Sequence, residues 1–258
     1  MTVLPRSLTA RPIAHRALHD VAAGVIENSP TAIDRAVRAG YGIELDLQLS
    51  ADGVPMVFHD ATLDRLTAEH GPVRDRTAQE LGEIALTGSR DRIPTLAQVL
   101  DQVDGAVPLL IELKDQSGGL GQADTTLEEA TARSLADYTG DVAVMSFNPL
   151  MMAAMQRFAP AIPRGLTTCA FIPSQWPRLT PEVCETLRSI DSFEAVGASF
   201  ISHDWSDLGS PRVAELQAQG VPILCWTVTS PEVEAEARRV ADSITFEGYL
   251  PPLDPPQD

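Results

Sequence analysis

Apolar residues recur along this chain in short runs rather than in long stripes. The runs fall at 11–14, 42–47, 107–113, 142–145, around Leu166, and at 198–201, 221–226 and 242–245. They read as eight strands. Between many of them lie helical stretches that open with a hydroxyl or amide followed by proline: Ser29-Pro30, Asn148-Pro149, Thr180-Pro181, Ser210-Pro211 and Ser230-Pro231. The side-chain oxygen caps free backbone donors, and proline at the first helical position forfeits no hydrogen bond. Two of these helices are expected to stop at Gly40 and Gly220, each followed by a strand-like run.

Alternation of strand and helix implies a parallel sheet, and eight such units in about 250 residues favour a closed (β/α)8 TIM barrel over an open sheet. With no Gly/Ser-rich linker and no repeat, residues 1–250 are expected to form one domain. A surface coil is expected over 251–258, and 60–95 reads as a small insertion beside the barrel.

One segment breaks the rhythm. Residues 54–58 look like another strand, too close to Leu47 for a parallel crossover, so the two runs must form a hairpin. The turn Ser50-Ala51-Asp52-Gly53 suits it. A loop symmetric about Ala51 and Asp52 would set Leu49 opposite Val54 and Glu44 opposite His59, on one face.

Composition narrows the function. Against 36 acidic side chains stand 19 basic ones, a net charge of −17, which disfavours a nucleic-acid surface. Eighteen of the 19 are arginine; Lys114 is the sole lysine. No run of about 18 apolar residues suggests a membrane span. The first ten residues lack an export-signal pattern, and three scattered cysteines fit neither a disulfide framework nor a metal clip. The expectation is a reduced, cytoplasmic protein, monomer or homodimer, acting on a small molecule without a stable membrane anchor.

Four polar clusters sit at strand ends: His15-Arg16, Glu44-x-Asp46, His59-Asp60 and Glu112-x-Lys114. Residues two apart on a strand point the same way. Charges projecting into a barrel are costly unless something binds them. Three carboxylates without cysteine suit Mg²⁺ or Ca²⁺ rather than zinc, and two histidines beside such an ion can act as acid and base. Arg16 and Lys114 add the positive charge that phosphate oxygens need. Any one cluster alone is more often structural. Their convergence where barrels place active sites points to phosphoryl transfer or phosphodiester cleavage.

These residues match a family pattern. Ile13-Ala14-His15-Arg16, Glu27-Asn28-Ser29, the run 42–53 containing Glu44 and Asp46, Val57-Phe58-His59-Asp60 and Leu63-Asp64-Arg65-Leu66-Thr67 closely resemble glycerophosphodiester phosphodiesterases. Ile93-Pro94-Thr95-Leu96, Ile111-Glu112-Leu113-Lys114, Ser146-Phe147 and Trp226-Thr227-Val228 follow in the family's order. The resemblance implies a barrel that hydrolyses glycerophosphodiesters to sn-glycerol 3-phosphate and an alcohol with a divalent cation. It assigns Glu44, Asp46 and Glu112 to the metal and His15 and His59 to acid/base catalysis. Arg16 and Lys114 would hold phosphate, Phe147 and Trp226 would wall the pocket, and Glu27 would hydrogen-bond to site residues rather than touch the metal. The attacker is either the glycerol 2-hydroxyl, giving a cyclic phosphate, or water. The alternatives are a lysophospholipase D and a catalytically silent phosphate-ester-binding barrel.

The sequence departs from the pattern in three places. Ala17 replaces a glycine, Thr229 replaces an asparagine, and the usual Thr-Asp-x-Pro reads Thr245-Phe246-Glu247-Gly248-Tyr249. Of the other histidines, His19 could reach the mouth and His203 could reach the pocket rim, whereas His70 should be exposed. Gly118-Gly119 lacks the Lys-Ser/Thr of a phosphate loop.

Overall fold

A computed structural model describes residues 2–253 of the chain. Nine strands form one sheet: β1 (Ile13–Ala14), β2 (Gly42–Leu49), β3 (Pro55–Val57), β4 (Leu109–Leu113), β5 (Val142–Ser146), β6 (Arg164–Thr168), β7 (Phe200–Asp204), β8 (Ile223–Val228) and β9 (Ser243–Phe246). All neighbours are parallel except β2 and β3, and pairing of β1 with both β9 and β2 closes the eight parallel strands into a barrel. No helix among the described residues is long and apolar enough to cross a membrane.

The five helix starts form as their sequence dictates. Ser29 Oγ accepts from the Ala32 N–H, Asn148 Oδ1 from Leu150, and Thr180, Ser210 and Ser230 each from the residue three ahead, with proline inside the first turn every time. Gly40, at φ 81°, closes the helix Pro30–Ala39 in the left-handed conformation that glycine takes without strain. Helices follow the first seven barrel strands. Among the described residues no eighth follows β9; the short helix Arg6–Ala10 instead precedes β1.

The hairpin differs from its expected register by one residue. Leu47 faces Val57, Gln48 faces Met56 and Leu49 faces Pro55. Gly53, at φ 78°, extends the loop to three residues, and the Ser50 N–H donates to the Val54 carbonyl across it. Because a one-residue slip exchanges the two faces of a strand, the ladder does not bring Glu44 opposite His59.

Side chains facing the barrel interior divide along its axis. At the base, Ile13, Leu110, Ala143, Met145, Phe200 and Leu224 pack with Leu4 and Leu8 of the N-terminal segment into an apolar plug. At the other end, inward positions of β2 and β4 carry Glu44, Asp46 and Glu112, and the residue after β4 is Lys114. Segment 60–95 has its own small core, in which Leu63, Val73, Leu81, Leu86 and Ile93 pack on Ile26, Met56 and Phe58. In the expected C-terminal coil, Pro252 and Leu253 are exposed, while Pro251 is buried and its carbonyl accepts from Tyr41 Oη at 2.6 Å. The rest of the expected coil, 254–258, lies outside the described residues.

Candidate active site

Glu44 and Asp46 share the inward face of β2, and Asp46 pairs in register with Glu112 on β4. One carboxylate oxygen of each lies within 4.8 Å of the others, and all three side chains are buried. The donors are hard oxygens, close enough to converge on one ion, so the residues present fit a divalent cation of the Mg²⁺ or Ca²⁺ type. Their electrostatics agree. Burial, then the charges of Asp46 and Glu112, push the Glu44 carboxyl well above the usual carboxylate range. Burial also works against an ionised Asp46, but Lys114, His59 and Arg16 outweigh it and hold Asp46 well below its ordinary value.

Lys114 Nζ lies 2.8 Å from Asp46 Oδ1 and 2.7 Å from Glu112 Oε1. Residue 114 projects on the same face as Glu112, which is how the strand delivers an ammonium into a carboxylate cluster. Arg16 approaches from the loop after β1. Its backbone N–H donates to Glu44 Oε2 at 2.8 Å, Nη1 donates to Glu27 Oε1 at 2.8 Å, and Nε stands 3.6 Å from Asp46 Oδ2. That Nε is buried without a hydrogen-bond partner, a donor suited to an anionic ligand. Arg16 and Ala17 both take positive φ, 50° and 64°, so the backbone turns back over the carboxylates at the position where the family pattern has glycine.

The parallel register of β1 and β2 brings Ala14 beside Ile43, which carries His15 to the level of Glu44. His15 Nδ1 lies 2.6 Å from Glu247 Oε2, just beyond β9. His59 enters from the other side. The chain bends after Val57 while the Phe58 N–H still donates to the Asp46 carbonyl, and Gln48 Nε2 donates to the His59 carbonyl at 3.0 Å. His59 Nδ1 lies 2.6 Å from Asp60 Oδ1. Burial lowers the imidazole pKa, while the Asp46 charge opposes the shift.

Several supporting residues were not singled out by sequence reasoning. Asn28 Nδ2 donates to Asp46 Oδ2 at 2.8 Å and its Oδ1 accepts from the Asp46 N–H, fixing that carboxylate. Arg65 donates to both oxygens of Glu27 and both of Asp60, linking the loop after β1 to the segment after β3. Glu27 therefore braces two arginines, Arg16 and Arg65. Phe147 and Trp226 meet edge to face at 5.5 Å, and Phe171 and Trp176 extend the aromatic wall. For Glu247 a signal existed: it lies two residues beyond Thr245, on the inward parity of β9.

The remaining candidates separate cleanly. His19 reaches the mouth, with Nε2 3.8 Å from Glu247 Oε2. His70 is exposed and faces Asp64. His203 is off the rim: it alternates with the inward Ser202, is buried, and bonds Thr168 and Asp207 outside the barrel. The backbone N–H groups of Gly119 and Leu120 donate to Asp115, so that glycine-rich loop is organised around a carboxylate of the chain itself.

The model of the glycerophosphoryl diester phosphodiesterase family matches residues 15–245. The chain is 28% identical over 235 residues to YhdW of Bacillus subtilis, whose name proposes a glycerophosphodiester phosphodiesterase, covering 87% of this chain and 88% of that one. It is 33% identical over 163 residues to a glycerophosphodiester phosphodiesterase of Caldanaerobacter subterraneus, 60% of this chain and 65% of that protein. A solved Oleispira antarctica phosphodiesterase, in complex with sn-glycerol-3-phosphate, superimposes with a TM-score of 0.76 over 94% of this chain and 93% of that one, at 22% identity, and carries the fold. A family match across nearly all of a barrel whose mouth gathers three carboxylates, two arginines, a lysine and two histidines makes this chain an enzyme of the glycerophosphoryl diester phosphodiesterase family.

Proposed function

We propose that the enzyme hydrolyses glycerophosphodiesters to sn-glycerol 3-phosphate and an alcohol, with His15 and His59 as its acid/base pair. The observation that carries this reading is the placement of the two imidazoles just after β1 and after β3, on either side of β2, whose buried Glu44 and Asp46 join Glu112 in one cluster. Glu44, Asp46 and Glu112 would hold Mg²⁺ or Ca²⁺, which supplies polarisation of the phosphate and neutralises charge that develops on it. Arg16 Nε, buried and without a partner, and Lys114 would bind the phosphate oxygens. One histidine takes the proton of the attacking hydroxyl, and the other protonates the departing alcohol oxygen. Phe147 and Trp226 face the non-phosphate end of the diester and exclude water there. Residues 1–250 act as one catalytic unit.

The test is release of glycerol 3-phosphate from glycerophosphocholine and glycerophosphoethanolamine with and without each divalent ion. Hydrolysis that disappears with chelator and returns with metal supports the reading. Inactivity across a broad diester panel with every ion ends it. Phosphorus NMR of the turnover mixture separates a cyclic phosphate from direct attack by water.

One observation favours a second reading. Beside Trp176 lies a cavity of about 330 Å³ walled by Leu120, Pro177 and Leu179, large enough for part of an acyl chain. A lysophospholipase D would cleave lysophosphatidylcholine faster than the soluble diesters; the reverse order retires that alternative.

A further inference from the structure

The two histidines are built alike at one ring nitrogen and differently behind it. Each has Nδ1 2.6 Å from a carboxylate oxygen, Glu247 for His15 and Asp60 for His59. An ionised carboxylate only accepts, so in both cases Nδ1 carries the proton and Nε2 is the nitrogen left for chemistry. Asp60 follows His59 directly and is locked by two hydrogen bonds from Arg65, one to each carboxylate oxygen. Glu247 comes from the opposite end of the chain, 232 residues away. Among the described residues its ion-pair contacts are His15 and His19, with no arginine or lysine. The three side chains line one cavity of about 380 Å³ between the tops of β1 and β9, bounded on its apolar side by Ala17, Leu18 and Phe246.

This arrangement occupies the segment where the sequence departs most from its family, Thr245-Phe246-Glu247-Gly248-Tyr249. Thr245 is inward and buried on β9, so the next inward position is 247, and a glutamate there reaches His15 from behind. The Glu247 N–H donates to the Val228 carbonyl, anchoring its backbone to β8. The side chain is therefore held at its root, and its carboxylate meets His15 at Nδ1.

We propose that Glu247 is a positioning residue for catalysis: it fixes the tautomer and ring orientation of His15 so that Nε2 faces the reacting phosphodiester. The proposal rests on the acid/base reading of His15. Removing an orienting carboxylate leaves the imidazole present but populates the wrong tautomer and ring rotamers, which lowers turnover more than binding.

Glu247→Ala, Glu247→Asp and the unaltered enzyme are compared by kinetics on glycerophosphocholine with Mg²⁺ and by ¹⁵N-resolved NMR of the histidine rings. The expected result for Glu247→Ala is a kcat about 10²-fold lower with KM within about twofold, a changed pH profile, and a His15 ring whose proton is shared between Nδ1 and Nε2. Glu247→Asp should recover part of kcat and of the Nδ1–H signal, which a purely structural role would not require. The proposal is overturned if Glu247→Ala keeps kcat within twofold, or if kcat falls while His15 remains wholly in the Nδ1–H form. If the unaltered enzyme hydrolyses no diester, the functional reading fails by itself, and the ring spectra still decide whether Glu247 sets the His15 tautomer.

Discussion

Lys114 Nζ sits 2.8 Å from Asp46 Oδ1, so the only lysine in the chain is bonded to the carboxylate at the centre of the cluster and, at 2.7 Å, to Glu112 as well. Without a cation, this ammonium is the charge nearest to balancing three buried acids. Lys114→Met should therefore destabilise the metal-free protein by about 3 kcal/mol, because breaking a buried pair strands its partners. Added Mg²⁺ or Ca²⁺ should restore more stability to the variant than to the parent. Thermal melts in chelator and in each ion measure both effects; a variant that melts like the parent in chelator contradicts the balance. Lys114→Arg should keep the fold yet lose about tenfold in kcat, since a planar fork does not replace a compact ammonium.

His15→Ala and His59→Ala should each reduce kcat by about 10²–10⁴ while leaving the melting temperature within a few degrees, since the proposed mechanism uses each as an acid/base group at the barrel mouth. Steady-state kinetics beside thermal melts check this. A variant retaining a tenth or more of kcat removes that histidine from proton transfer.

Ala17 carries a side chain at φ 64°, where the family pattern has glycine. The left-handed conformation costs a non-glycine residue about 1–2 kcal/mol, part of which is offset by the buried methyl and the lower freedom of the unfolded chain. Ala17→Gly should raise the melting temperature by about 1–3 °C. A fall would show that methyl packing outweighs backbone strain at this turn.

Gly165 on β6 leaves room for the ring of its register partner Phe200: a Cβ at 165 would come within 2.4 Å of the ring. Gly165→Ala should cost about 1–3 kcal/mol by overpacking the barrel interior. Adding Phe200→Leu should return part of the loss, so the two changes together should be less harmful than their sum. Additive effects in denaturant unfolding would break the argument.

Glu128, on the helix Thr126–Leu135, is buried and one of its carboxylate oxygens lacks a partner; burial raises its pKa to about 7. A carboxyl whose folded pKa lies above its unfolded value favours the fold most below the unfolded value, about 4.3. That contribution falls as pH rises towards 7 and is gone above it. Glu128→Gln should stabilise the protein by about 2 kcal/mol at pH 8, allowing for solvent screening, and by little at pH 4.5. Equal melting shifts at both pH values would refute this assignment.

The sequence made the barrel readable because its signals were local. Short apolar runs gave the strands, and Ser29-Pro30 and its four counterparts gave helix starts that the structure reproduces donor by donor. The carboxylate cluster was readable for the same reason: two-residue alternation fixes which way Glu44, Asp46, Glu112 and Lys114 point. What escaped depended on a backbone angle or on contacts distant in sequence. Gly53 in the left-handed region added one loop residue and moved the hairpin register, so the argument that faced Glu44 towards His59 failed even though His59 reaches the cluster by a bend. The brace from Arg65 to Glu27 spans 38 residues, and the contact of Glu247 with His15 spans 232. Parity could place Glu247 at the mouth, but nothing in pattern or spacing encodes which distant residue either carboxylate meets. His203 shows the converse, since a histidine at a strand end faces outward when its parity is wrong.

The apolar plug of Leu4, Leu8, Ile13, Leu110, Phe200 and Leu224 leaves the barrel with a single doorway. Everything that enters the carboxylate end must leave by the same route. The alcohol and the phosphate monoester therefore queue at the entrance used by incoming diester, and whichever departs last occupies the seat that the next molecule needs. The kinetic signature is competitive inhibition by one product, and its strength sets how far the enzyme slows as product accumulates.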